Sequence, residues 1–130
     1  MHLIVPLHPR NKKQLEIHGL WPMASHLSFI DPVGCLDMLA LETNAAVIAT
    51  DSGGVQKEAY FQGVPCVTLR DETEWTELVE AGWNRLAQPG QADIRETIIE
   101  SIGRFGQDVR PYGEGQAAEL IVTTLYAGRI

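Results

Sequence analysis

Asp51, Ser52, Gly53 and Gly54, followed one helical turn later by Glu58, form the part of this chain best suited to holding an anion. They come after the apolar run Val47-Ile48-Ala49-Thr50 and open into Val55-Gln56-Lys57-Glu58-Ala59-Tyr60-Phe61-Gln62-Gly63, which reads as a buried strand turning directly into a helix. Two adjacent glycines let the backbone approach a ligand closely, and Ser52 brings a hydroxyl to the N-cap position. The new helix aims its unpaired N–H groups at the same point. That is a seat for phosphate, and Glu58 adds a carboxylate within reach of sugar hydroxyls. Each feature also has a bland reading. A Gly-Gly after a strand can be only a tight turn, and Glu58 can be an ordinary solvated helix carboxylate.

The surrounding sequence supplies a scaffold for such a seat. Leu3 to Leu7 reads as a short strand, followed by His8-Pro9-Arg10 and a helix from Asn11 to His18 that ends at Gly19. Leu27 to Ile30 is a second strand, stopped by Asp31-Pro32, with helical spacing of Leu36, Leu39 and Leu41 as far as Asn44. Ala46 to Thr50 is the third strand. After the Ser52 helix, Gly63-Val64-Pro65 resets the chain into Cys66 to Leu69, and Arg70-Asp71-Glu72-Thr73-Glu74 opens a helix through Glu80, capped by Gly82. Arg85 to Ala87 is a short fifth strand, and two helices, Gln91 to Phe105 and Gly115 to Ala127, close the chain. Near-continuous apolar strands alternating with helices predict an α/β fold, a Rossmann-like parallel sheet sandwiched by helices. Ligands of such sheets sit beyond the carboxyl ends of the strands. The turns expected on that rim are His8-Pro9-Arg10, Asp31-Pro32, Asp51 to Gly54 and Arg70 to Glu74. A nucleoside diphosphate would suit it, with Glu58 on the ribose.

Composition narrows the function classes. The chain has 130 residues, 45% of them hydrophobic, which suits one compact domain spanning 1–130. Its formal charge is −7 and its Lys and Arg are scattered, which argues against nucleic acid as a partner. Cys35 and Cys66 fall among apolar neighbours, with no metal-ligand spacing to His2, His8, His18 or His26. A reduced, cytoplasmic protein without metal is the expectation. The run from Met1 to Leu7 is too short and too soon interrupted for a membrane span or signal peptide. His2, His18 and His26 read as surface groups. Arg70 admits two roles, an ion pair with Asp71 or Glu74 and a ligand contact. Trp75 and Trp83 likewise suit either a core or a stacking surface.

Four segments together resemble a known family, the non-hydrolysing UDP-N-acetylglucosamine 2-epimerases, and specifically the C-terminal half of their two-domain, GT-B-type fold. Thr50-Asp51-Ser52-Gly53-Gly54-Val55-Gln56-Lys57-Glu58-Ala59 is similar to the family's TDSGG-x-Q-x-EA signature, and Leu69-Arg70-Asp71-Glu72-Thr73-Glu74 to its LRD-x-TE segment. Pro111-Tyr112-Gly113-Glu114-Gly115-Gln116-Ala117 is similar to its PYG-x-G-x-A element, and Leu7-His8-Pro9-Arg10 to its HPR strand end. The resemblance implies that Ser52, Gly53 and Gly54 contact a diphosphate and Glu58 the ribose; Arg70 and Trp75 are further candidates for substrate contact. It implies that His8 faces the interdomain cleft, where some bacterial members bind a second, activating UDP-sugar. Many members carry Arg where this chain has Trp75. Glu74-Trp75 and Gly82-Trp83-Asn84 resemble a subgroup that includes epimerases of diacetamido uronic acid UDP-sugars.

The implied chemistry is elimination of UDP across C1 and C2 and its re-addition after the sugar turns over, with no cofactor. The family's acid and base carboxylates lie in its N-terminal domain, so no catalytic residue is expected in this chain. The expected partners are therefore a UDP-sugar and that N-terminal domain or a second chain. Leu120, Ile121 and Leu125 on the last helix would be partly exposed without it, which favours self-association into a homo-oligomer. Two alternatives are a stand-alone UDP-sugar-binding module, comparable with a glycosyltransferase-like subunit that needs a second chain, and a degenerate fold used for interaction.

Overall fold

Five short strands alternate with six helices in the computed structural model, which describes residues 2–21 and 27–128. The order is β1 (Ile4–Pro6), α1 (Pro9–Ile17), β2 (Ser28–Ile30), α2 (Cys35–Thr43), β3 (Ile48–Thr50), α3 (Gly53–Phe61), β4 (Cys66–Thr68), α4 (Thr76–Glu80), β5 (Asn84–Leu86), α5 (Ile94–Ser101) and α6 (Ala117–Tyr126). His26, expected as a surface group, lies outside the described residues. The chain divides into two compact units, residues 1–41 and 42–130, with the division falling inside α2.

In the first unit β1 and β2 pair in parallel, Ile4 opposite Ser28 and Pro6 opposite Ile30. The ladder continues at both ends, with Ser28 N–H donating to the Leu3 carbonyl at 3.0 Å and Leu7 N–H to that of Ile30 at 2.9 Å. Pro9 starts α1, where a fixed φ and a missing N–H cost nothing. His8 is its N-cap, Nδ1 accepting from Arg10 N–H at 3.2 Å. The helix therefore begins two residues earlier than the sequence suggested, because His8 substitutes for the usual Ser, Thr, Asp or Asn cap. Trp21 stacks on Phe29 with ring centres 5.1 Å apart.

The second unit is a three-stranded parallel sheet in the order β3-β4-β5, Ile48 opposite Cys66 and Cys66 opposite Asn84. All of β4 is buried, as a central parallel strand covered on both faces should be. Ala59 from α3, Leu78 from α4 and Ala81 and Ala87 from the following turns close around Val64 and Val67. Burial pushes the Cys66 thiol up to about 12, so it packs as a small apolar group. Parallel α/β architecture is thus as expected. The ladders, however, form as two sheets of two and three strands among the described residues. Strand-helix alternation specifies parallel pairing within a βαβ step but not which strands meet across steps.

Two helices are shorter than their sequence patterns. α4 starts at Thr76, because Arg70 to Trp75 is drawn into side-chain hydrogen bonds that replace helical ones. α5 runs only from Ile94, capped by Asp93 Oδ1 accepting from Glu96 N–H at 3.0 Å, to Ser101, beyond which Gly103 has φ of 73°. On α6, Leu120, Ile121 and Leu125 are all more than half exposed. No helix among the described residues is long and apolar enough to cross a membrane, and none of their His, Cys, Asp and Glu side chains cluster in threes to hold a metal.

Candidate nucleotide site

The turn from β3 into α3 is built by the strand it leaves. Thr50 Oγ1 accepts from Ser52 N–H at 3.1 Å, which bends the chain out of the sheet. Ser52 then sits at the N-cap with extended backbone, φ −84° and ψ 124°, its carbonyl accepting from Gln56 N–H at 3.2 Å. Its hydroxyl makes no capping bond, so the oxygen is not consumed by its own helix. The N–H groups of the first turn of α3 have no partner inside the helix.

The two glycines do different work. The Glu74 carboxylate lies so close against Gly53 that a side chain there would strike it, and Trp75 Nε1 donates to the Gly53 carbonyl at 2.8 Å. The carbonyl of Gly53 and the side a Cβ would occupy therefore face the protein. Around Gly54 the nearest atom to a built Cβ is Ser52 Oγ at 3.8 Å, and the space is otherwise open. Ser52 and Gly54 are both exposed, which leaves a bare patch of backbone for a ligand to approach.

A second tier holds the loop after β4 against α3. Gln56, fully buried, accepts through Oε1 from Thr73 Oγ1 at 2.6 Å and from Asn84 Nδ2 at 3.1 Å. Thr73 Oγ1 in turn accepts from Trp75 N–H at 3.2 Å. Arg70 pairs with Glu74 at 3.2 Å, both side chains more than a third exposed, a pair that contributes little stability by itself but locates the guanidinium. Lys57 Nζ lies 4.5 Å from the Trp75 ring centre and 4.2 Å from that of Tyr112, which packs edge-on against Trp75. Burial first, and the Glu77 carboxylate next, push the Tyr112 phenol well above its usual range.

Residues 102–112 reach this cluster across Trp83. Trp83 Nε1 donates to the Gln107 carbonyl at 2.9 Å, Gln107 N–H to that of Ala81 at 2.8 Å, and the Tyr60 hydroxyl to that of Val109. Trp83 is thus half-buried and packed, which matches the core reading. Trp75 braces the turn.

Glu58 is exposed on α3, as a ligand contact requires. Beside it Glu42, at the end of α2, is only 3% exposed. Burial, then the neighbouring Glu58 carboxylate, push its carboxyl up to about 7. Sequence reasoning missed Glu42, whose signal was a polar residue in a run otherwise read as core, and quoted Gln56 only as part of a motif, without its role in holding the loop. Ser52, Gly53, Gly54, Glu58, Arg70 and Trp75 all belong to the second unit, with Gly53 meeting Glu74 and Trp75 directly. His8 belongs to the first unit, where its ring caps α1.

A parallel α/β fold with an open Ser-Gly-Gly turn starting a helix is an arrangement able to seat a phosphate. The family model described as UDP-N-acetylglucosamine 2-epimerase matches residues 1–126, and the chain belongs to that family. It is 47% identical over 130 residues to a UDP-N-acetylglucosamine 2-epimerase homolog of Methanococcus maripaludis, covering 95% of this chain and 35% of that protein. It is 45% identical over 124 residues to the UDP-2,3-diacetamido-2,3-dideoxy-D-glucuronate 2-epimerase of Pseudomonas aeruginosa, covering 95% and 34%. The structure of UDP-GlcNAc 2-epimerase from Methanocaldococcus jannaschii superposes with a TM-score of 0.81 at 40% identity, covering 98% of this chain and 36% of that one. The chain spans about a third of the length of these relatives.

Proposed function

We propose that this chain is the UDP-holding part of a UDP-sugar 2-epimerase, seating the diphosphate on Ser52, Gly53 and Gly54 and the ribose hydroxyls on Glu58. The observation that carries this reading is the open turn, in which an uncommitted hydroxyl, an exposed glycine and a helix N-terminus converge. A Methanocaldococcus jannaschii UDP-GlcNAc 2-epimerase, 39% identical over 98% of this chain with a TM-score of 0.78, was solved in complex with UDP-GlcNAc and UDP, which supports a nucleotide here.

The reaction proposed is C2 epimerisation. The C2 proton is removed and the C1–O bond to UDP breaks, leaving a 2-acetamidoglucal; UDP then re-adds at C1 while C2 takes a proton on the opposite face. The negative charge that grows on the departing diphosphate would meet the fixed N–H groups of α3 and the Ser52 hydroxyl, preorganised donors that stabilise it without rearranging. Arg70 adds a positive charge, and Trp75 keeps the Gly53 carbonyl turned away from the anion. The base for C2 comes from the remaining two-thirds of the enzyme or from a second chain, since proton transfer needs a group within hydrogen-bond reach. The chain alone is accordingly inactive in this proposal, and His8 is assigned to the cleft between the parts.

Calorimetric titration with UDP and then UDP-N-acetylglucosamine tests the reading. Millimolar-range binding is expected of these 130 residues by themselves, which span about a third of the length of their relatives, and Ser52→Ala and Glu58→Ala should each weaken it roughly tenfold, the worth of one hydrogen bond to a charged partner. Binding unchanged by both substitutions would refute the assignment.

A further inference from the structure

The proposed ribose carboxylate does not stand alone. Glu42 lies beside Glu58 at the end of α2, buried to 3% exposure, and neither of its carboxylate oxygens has a hydrogen-bond donor among the described residues. The last residues of α2 are tied to the end of α3, because Thr43 Oγ1 donates at 2.9 Å to Oε1 of Gln62, one helical turn beyond Glu58 on the same face of α3. An ionised carboxylate in such a place would carry a full desolvation cost with nothing to offset it.

The charged groups around it sharpen the point. The other charged residues on the neighbouring elements are Asp37 on α2, Asp51 just after β3, and Lys57 and Glu58 on α3. Lys57 is turned to the Trp75 and Tyr112 rings, and no salt bridge among the described residues reaches Glu42 or Glu58. Burial first, and the neighbouring Glu58 carboxylate next, favour the protonated form of Glu42.

We propose that Glu42 is a positioning residue for nucleotide binding: from below the surface it donates a hydrogen bond to one oxygen of Glu58, leaving the other oxygen aimed outward for the vicinal hydroxyls of a ribose. This rests on the assignment of Glu58 to the ribose. Glu42 never touches the ligand. It fixes the rotamer of Glu58 and removes a second negative charge from beside an anionic nucleotide, and it ceases to do both once it ionises.

The test is the affinity of the whole chain for UDP-N-acetylglucosamine, whose diphosphate is diesterified and does not titrate between about pH 5.5 and about 8.5. Wild-type affinity should fall about tenfold as the pH rises through about 7. Glu42→Gln, which keeps a donor, should bind like the low-pH wild type at every pH, whereas Glu42→Leu should be weak and flat. Glu58→Ala is the control. If Glu58→Ala weakens binding but wild type, Glu42→Gln and Glu42→Leu share one flat profile, the positioning role is overturned and the ribose assignment stands. If Glu58→Ala binds like wild type, or if no binding occurs at millimolar ligand, the assignment falls and the role of Glu42 falls with it.

Discussion

Raising the pH from about 4.5 to about 7.5 is expected to remove about 3 kcal/mol from the stability of this chain through the buried Glu42 carboxyl and its Glu58 neighbour. The folded protein holds the Glu42 proton up to about pH 7, whereas the unfolded chain releases it near its ordinary value of 4.5. Between those values the folded state binds more protons, so stability falls as the pH rises. The contribution is fully present below the unfolded value and is lost as the pH passes the folded one. At about 1.4 kcal/mol per pH unit the difference comes to about 3 kcal/mol. Urea unfolding of wild type and Glu42→Gln across this range isolates the effect of this carboxyl pair, because every titrating group outside it is common to both. The curves should coincide near pH 4.5 and diverge upward, with the variant the more stable at pH 7.5. Parallel curves would mean that Glu42 ionises in the folded state as it does in water.

Gly106→Ala should cost a comparable amount, about 3 kcal/mol, at the upper end of what overpacking usually does. A Cβ at this position would lie 2.5 Å from Trp83 Cδ1 and 2.7 Å from the Ala81 carbonyl oxygen. Neither can yield cheaply. The Trp83 ring is tied by its Nε1 to the Gln107 carbonyl and packed edge-on against Tyr60 and Phe105, while the Ala81 carbonyl accepts from Gln107 N–H. The cost reaches the candidate site, because this segment carries Tyr112 to Lys57 and Trp75. Denaturant unfolding gives the magnitude, and loss of the near-ultraviolet circular dichroism of the aromatic cluster would locate it. A variant as stable as wild type would show that residues 105–107 can lift off Trp83 without loss.

The parts of the fold that were legible in the sequence are those set by local rules. Alternating strands and helices, the buried run of β4 and the glycine stop after Gly82 all follow from apolar pattern and backbone freedom. Helix ends were less legible where side chains compete with the backbone. Thr73 and Arg70 divert the start of α4 into a hydrogen-bonded loop, and His8 starts α1 early by an uncommon cap. The candidate site shows the same division. Ser52, Gly53, Gly54 and Glu58 announce themselves by spacing along one turn of chain. The groups that hold them, Gln56 and Glu42, act through contacts between elements. The distinction between an inward Gly53 and an open Gly54 depends on Glu74 and Trp75, some twenty residues away. Arg70 had two readings in the sequence, and the structure shows its ion pair with Glu74.

The first turn of α3 is the centre of the account, and its backbone amides can be observed directly. In an amide proton–nitrogen spectrum titrated with UDP-N-acetylglucosamine, the resonances of Gly53, Gly54 and Val55 should move furthest and downfield, as N–H groups do when they donate to an anion, and Ser52→Ala should reduce those shifts. Saturating shifts confined to other residues, with these three amides unmoved, would contradict the diphosphate seat and the function built on it.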